Sequence, residues 1–252
     1  AWLDLVKKGT LQQDEAFNIC VPTGNFGNIL AAYFAKQMGV PVNKLICASN
    51  RNNVLTDFIE TGVYYKTRPF YQTTSPSMDI LISSNVERLL YELSGKNGFE
   101  VRTYMNQLAS AGQYQVSATL AKALKEHFAA GYCNDEETKA TISRTFQKGY
   151  LADTHTAVAL SVLEEYRRKS NDATYTLVAS TASPYKFASS VFEALTGKAP
   201  EDDGPALLEA LSSLTETAIP APLSGLDKLP IRFTETVKKD ELHRFVGRQL
   251  GI

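Results

Sequence analysis

Charge of one sign is the first thing this chain lacks. Twenty-six Lys and Arg stand against 27 Asp and Glu, a net charge of −1. That balance gives no electrostatic case for nucleic acid or an anionic membrane as partner. Cysteine is scarce. Cys20, Cys47 and Cys133 are odd in number and far apart, with no C-x-x-C pair and no histidine cluster, so neither a disulfide framework nor a metal site is expected. A reduced, cytoplasmic setting suits such a chain. No apolar run approaches the roughly 18 residues of a membrane-crossing helix, and no signal peptide opens the sequence. Initiator methionine is missing too. Ala1–Lys8 already reads as the end of an amphipathic helix with Trp2, Leu3, Leu5 and Val6 apolar, as in a piece of a longer chain whose apolar start needs a covering partner. What remains, 252 residues at 44% hydrophobic, fits one large globular domain or two small ones.

The stretch that organises the chain is Val21-Pro22-Thr23-Gly24-Asn25-Phe26-Gly27-Asn28. An apolar run, Phe17–Val21, precedes it. Ile29, Leu30, Tyr33, Phe34 and Met38 follow at helical spacing, and Gly39 with Pro41 marks the helix end. Strand, glycine loop, helix is a junction that aims backbone N–H groups and the positive end of a helix dipole at one point, which suits a phosphate. Thr23, Asn25 and Asn28 are candidate side-chain donors. A tight turn with no ligand fits the same glycines. The loop is neither G-x-G-x-x-G nor followed by G-K-[ST]. Ser49-Asn50, after the second predicted strand Lys44–Ala48, stand where a dinucleotide site wants an acid. A small phosphorylated cofactor or substrate remains.

Further along, apolar runs at 79–83 and 174–180 read as strands that complete one mainly parallel sheet with helices on both faces. Residues 99–150 read as mostly helical, an insertion within an α/β domain of residues 1–197, and residues 198–252 as a proline-rich extension ending in a charged amphipathic helix. Three places hold chemistry-bearing side chains. Arg88, on the helix from Val86, is either an anion ligand or a solvated arginine. Asp153, His155 and Thr156 open a helix, where Asp153 serves equally well as a plain N-cap. Thr181 and Ser183 follow the 174–180 strand at the sheet edge where open α/β sheets bind ligands, and their hydroxyls equally cap the next helix.

Four blocks carry a resemblance. Val21–Gly39, Ser77-Met78-Asp79-Ile80-Leu81-Ile82-Ser83-Ser84-Asn85-Val86-Glu87-Arg88, Asp153-Thr154-His155-Thr156-Ala157 and Ser180-Thr181-Ala182-Ser183-Pro184-Tyr185-Lys186-Phe187 resemble, in the same order, segments of the threonine synthases. That family comprises pyridoxal-phosphate enzymes of the tryptophan-synthase-β-like group. The resemblance spans roughly residues 1–200 and implies the carboxyl-terminal portion of such an enzyme. It implies that Gly24, Asn25, Phe26, Gly27 and Asn28 hold the cofactor phosphate, that Thr181 meets the pyridine nitrogen, and that Asp153, His155, Thr156 and Arg88 lie toward the substrate, O-phosphohomoserine. It also implies a Schiff-base lysine in a segment like H-G-P-T-x-x-F-K-D, which these residues do not contain. Lys186, near Thr181, matches a helix start beyond the cofactor and not that lysine. The family's Ser-rich substrate-phosphate block is absent as well, and Ser183 stands where relatives often carry His. The expectation is therefore one wall of an active site, inactive alone and completed by an amino-terminal half of the same protein. The competing reading is a non-catalytic phosphate- or pyridoxal-binding module complemented by a partner chain.

Overall fold

A computed structural model describes all residues, Ala1–Ile252. In chain order the elements are α1 (Trp2–Lys7), β1 (Phe17–Pro22), α2 (Gly27–Gln37), β2 (Val42–Ser49), α3 (Val54–Thr61) and β3 (Val63–Tyr65). There follow α4 (Val86–Leu93), α5 (Gly98–Ala111), β4 (Gln113–Gln115), α6 (Ala118–His127), β5 (Phe128–Tyr132) and α7 (Asp135–Gln147). The remainder is α8 (Thr154–Ser170), β6 (Thr176–Val178), α9 (Ala188–Thr196), α10 (Pro205–Thr215) and α11 (Leu242–Leu250). The chain divides into two compact units, 1–203 and 204–252. The second unit holds α10 and α11, and α11 exposes Leu242, Val246 and Leu250.

β5, β2, β1 and β6 form, in that order, a sheet whose pairs are all parallel. Its register sets Ile19 beside both Leu45 and Leu177, and Leu45 beside Phe128. Alternation along the strands feeds two cores. Val21, Leu45, Cys47 and Phe128 join residues of α2, α3, α4 and α6 on one face. Cys20, Ile46 and Ala48 join Val158, Ala159, Val162 and Leu163 of α8 on the other. Both faces are covered, which is why these strands read as unbroken apolar runs. Asn18, a buried polar residue within β1, is satisfied. It donates to Asp172 Oδ2 at 2.9 Å and accepts from Asn43 Nδ2 and the Lys44 amide.

The fourth strand is not where the sequence pattern puts it. Residues 79–83 form no strand; after a 3₁₀ turn at Pro76–Met78 they run as irregular chain. The Asp79 carboxylate explains this. It accepts hydrogen bonds from Asn50 Nδ2, Asn52 Nδ2, Thr73 Oγ1 and the Thr73 amide, which ties the segment into a polar loop. The missing strand is β5, within the stretch read as a helical insertion. That stretch does hold most of α5 and all of α6 and α7, yet β5 pairs with β2, and β4 pairs antiparallel with β3. Alanine and glycine hid β5, since they carry no strand propensity. Close packing demands them: a Cβ on Gly131 would lie 2.9 Å from Val162 Cγ1. The amino-terminal helix also differs from expectation. Trp2, Leu5 and Val6 pack against the larger core of the chain itself, leaving Leu3 exposed.

Chain direction turns between β1 and β6. From β1 the sheet grows through β2 to β5, and the chain then crosses to the opposite side to lay down β6. The carboxyl ends of β1 and β6 flank this switch point, the place where open α/β sheets form a crevice.

Candidate functional site

The loop after β1 is held by its carbonyls. The Thr23 amide still donates to Ala48 O at 2.8 Å, so sheet pairing runs to the loop's first residue. Ser83 Oγ donates to Gly24 O at 2.8 Å, and Asn85 donates to Asn25 O through its amide and, at 2.6 Å, through Nδ2. Phe26 sits in left-handed backbone, φ 64°, a conformation that disfavours side-chain-bearing residues. Its ring, 1% exposed and 5.7 Å from Phe128, holds it there. A left-handed residue followed by helical Gly27 makes a concave nest of successive N–H groups at the positive end of α2. No group of the chain accepts a hydrogen bond from the amides of Gly24, Asn25, Phe26, Gly27 or Asn28. Thr23 adds nothing to the nest, because its hydroxyl donates to Val21 O at 2.7 Å.

The two loop glycines have different reasons. A Cβ on Gly24 would lie 2.6 Å from Ser77 O and 3.2 Å from Met78 Cα, so packing against the 3₁₀ turn requires glycine. A Cβ on Gly27 would meet only Asn85 Nδ2, at 3.7 Å, an ordinary contact, and its φ is not left-handed. Nothing in the chain calls for glycine at 27.

The nest forms one end of a cavity of about 280 Å³. Ser77, Met78, His155, Thr181, Ala182 and Lys186 line the rest. The structure thus brings Gly24–Asn28, His155 and Thr181, remote in sequence, to one place. Asp153 and Thr156 are buried behind His155. Arg88 is elsewhere: α4 buries Val86, Leu89 and Leu90, so position 88 falls on its outer face, in a groove with Phe34, Glu87 and Tyr91. Lys186, placed by sequence beyond the cofactor, is in the cavity wall. The Ser83 and Asn85 clamps were not foreseen as such, though both lie in a motif that sequence singled out.

Asp153 caps α8. Its Oδ1 accepts from the amides of His155 (2.8 Å) and Thr156 (3.2 Å), and its Oδ2 accepts from Thr156 Oγ1. Burial pushes the Asp153 carboxyl up, but the hydrogen bonds from His155 and Thr156 outweigh it and hold the group below its ordinary value. Thr156 Oγ1 also lies 3.3 Å from Ser180 Oγ, joining α8 to the loop just after β6. The capping role of Ser183 is real, since its Oγ accepts from the Tyr185 amide at 3.3 Å. Thr181, by contrast, is exposed to the cavity, and its hydroxyl makes no hydrogen bond within the chain.

Comparison with known proteins follows this geometry. The family model "Threonine synthase, C-terminal" matches residues 156–246. Threonine synthase-like 1 of Macaca fascicularis is 45% identical over 197 residues, covering 77% of this chain and 26% of that protein. The structure of pyridoxal-phosphate-bound threonine synthase from Brucella melitensis is 40% identical, with a TM-score of 0.70 over 82% of this chain and 44% of that one. Yeast threonine synthase is 30% identical, with a TM-score of 0.82 over 98% of this chain and 50% of that one. The chain therefore spans between a quarter and a half of the length of these relatives. Fold, ordered motifs and these likenesses match the chain to the carboxyl-terminal portion of the threonine synthases.

Proposed function

We propose that the cavity binds pyridoxal 5′-phosphate, with its phosphate on the Gly24–Asn28 amides and its ring nitrogen at the Thr181 hydroxyl. The observation that carries this is the set of five consecutive loop amides with no acceptor in the chain, in residues that line a cavity at a helix start. Gly27 supports it. With no steric or φ requirement from the chain, its missing side chain is accounted for by the close approach of a ligand. A hydroxyl at Thr181 accepts or donates to a pyridine nitrogen without enforcing its protonation, as a carboxylate would.

The protein containing this chain acts, on this reading, as a threonine synthase that converts O-phosphohomoserine to threonine and phosphate. When bound, pyridoxal phosphate supplies an electron sink for carbanion chemistry at the substrate. The chain's own residues bind and orient. The nest fixes the phosphate end, Thr181 fixes the ring, and His155, backed by Asp153 and Thr156, faces the substrate side. The cofactor-anchoring lysine comes from sequence that the relatives have and this chain does not span, so these 252 residues bind without turning over.

A binding titration tests the cofactor assignment. Pyridoxal phosphate should bind, inorganic phosphate should compete with it, and pyridoxal without phosphate should bind at least tenfold more weakly. Equal affinity for pyridoxal sinks the phosphate-nest reading. Phosphate release from O-phosphohomoserine should require a lysine-bearing amino-terminal portion; release by the 252 residues alone refutes that part.

A further inference from the structure

We infer that His155 is the proton-carrying side chain of this cavity, with Asp153 as the carboxylate that fixes its tautomer. The inference rests on the reading of the cavity as a ligand site, and it starts from an unpaired atom. His155 is 3% exposed and lines the cavity, and its Nε2 is buried with no hydrogen-bond partner. A buried polar atom without a partner is costly unless a ligand meets it. The other ring nitrogen is committed to the helix's own first turn. Nδ1 lies 3.3 Å from Asp153 Oδ1 and 3.3 Å from Thr154 Oγ1. Phe187 packs on the ring at a centroid distance of 4.7 Å and limits its rotation.

Tautomer follows from the partner. Asp153 is held ionised by its donors, and a carboxylate only accepts, so the 3.3 Å approach of Nδ1 to Oδ1 favours hydrogen on Nδ1 and the lone pair on Nε2. Nδ1 is taken up by the first turn of α8, so Nε2 is the ring nitrogen left for a ligand in the cavity that His155 lines. Nε2 takes a proton from the bound molecule, the ring becomes imidazolium beside the Asp153 carboxylate, and the same proton returns to the bound molecule. Atoms and charge balance within the pair, with no change of oxidation state. This is the orienting role of a carboxylate behind a histidine base. The surrounding elements offer little competition. The glycine loop and the 76–78 turn present no titratable side chain to the cavity, and Lys186 is the one cation in its wall. Lys186 has no lone pair to offer while protonated, which leaves His155 as the base among the residues this chain contributes.

Two readouts in the chain test this. Nitrogen-15 spectra of histidine-labelled protein distinguish the tautomers directly, and His155→Gln assigns the signal among His127, His155 and His243. The expected neutral form has hydrogen on Nδ1, and its Nε2 resonance moves on adding inorganic phosphate while those of His127 and His243 do not. Hydrogen on Nε2 overturns the proposal. The second readout is proton uptake on binding pyridoxal phosphate at pH 8, seen as dependence of the binding enthalpy on buffer. Wild type should take up a fraction of a proton. His155→Gln, which keeps a hydrogen-bonding amide but carries no proton, should lose that uptake and keep its melting temperature. Equal uptake in wild type and the variant overturns the proposal. Absence of any phosphate effect on the Gly24–Asn28 amides refutes the cofactor reading instead, and the tautomer then decides for His155 by itself.

Discussion

Alanine at the two loop glycines should have opposite effects on stability and on binding. At Gly24 the added Cβ starts 2.6 Å from Ser77 O and 3.2 Å from Met78 Cα, both backbone atoms. Relief to an ordinary 3.4 Å contact needs about 0.8 Å of opening (3.4 − 2.6) between the loop and the 3₁₀ turn. Overpacking of this kind costs about 1–3 kcal/mol. In a unit of this size each kcal/mol shifts the melting temperature by about 2–4 °C, so Gly24→Ala should melt roughly 2–12 °C lower. At Gly27 the nearest atom is 3.7 Å away and the backbone is not left-handed. Glycine-to-alanine there lowers the entropy of the unfolded chain and is neutral or stabilising by up to about 1 kcal/mol. Yet its Cβ stands on the wall of the nest, so phosphate binding should weaken at least tenfold, about 1.4 kcal/mol. The assay is thermal unfolding with and without saturating pyridoxal phosphate. Ligand at a hundred times Kd should stabilise wild type by about 2.7 kcal/mol and Gly27→Ala by distinctly less. A Gly27→Ala protein that gains as much from ligand as wild type refutes the reasoning, as does Gly24→Ala with an unchanged melting temperature.

Three more outcomes follow. Asp172 accepts from Asn18 Nδ2, Tyr166 OH and the Thr174 amide, joining β1, the end of α8 and the approach to β6. Bonds from Thr174, against burial that pushes the other way and with help from Tyr166 and Asn18, hold its carboxyl well below the usual range. A depressed carboxylate stabilises fully above its unfolded value near 4 and loses that contribution as pH falls through the folded value. Asp172→Ala should therefore melt lower at neutral pH, by about 1–3 kcal/mol, and show a flatter acid limb in pH-dependent unfolding. Arg88→Ala should leave phosphate and pyridoxal-phosphate affinity unchanged and stability within about 0.5 kcal/mol, measured by the same titrations. Burial pushes the Cys47 thiol up to about 12 and raises Cys20 and Cys133 as well, so a thiol reagent at pH 8 should label none of the three until the protein is unfolded.

Most of what positions the cavity was legible because it is local. Strand, glycine loop and helix at 17–37, and the capped start of α8 at Asp153, are set by neighbouring residues and appear where their patterns put them. What failed was settled by tertiary contacts. The run at 79–83 has strand-like residues but lost to four hydrogen bonds on Asp79. β5 has helix-like residues but sits where Val162 leaves no room for a larger side chain at 131. For Arg88 the sequence leaves an anion ligand and a solvated arginine both open. The burial of Val86, Leu89 and Leu90 decides which way it faces, and only the packed helix shows that. Lys186 follows Ser183 and Pro184, and the 3₁₀ turn they start brings it back to the cavity wall.

The central claim is that the Gly24–Asn28 amides receive the cofactor phosphate. Backbone amide NMR shifts during titration with pyridoxal phosphate address it most directly. The account predicts that the amides of Gly24, Asn25, Phe26, Gly27 and Asn28 move farthest, saturate together, and respond in the same direction to inorganic phosphate. Saturable binding that leaves those five amides in place, with the largest shifts elsewhere in the chain, would contradict it.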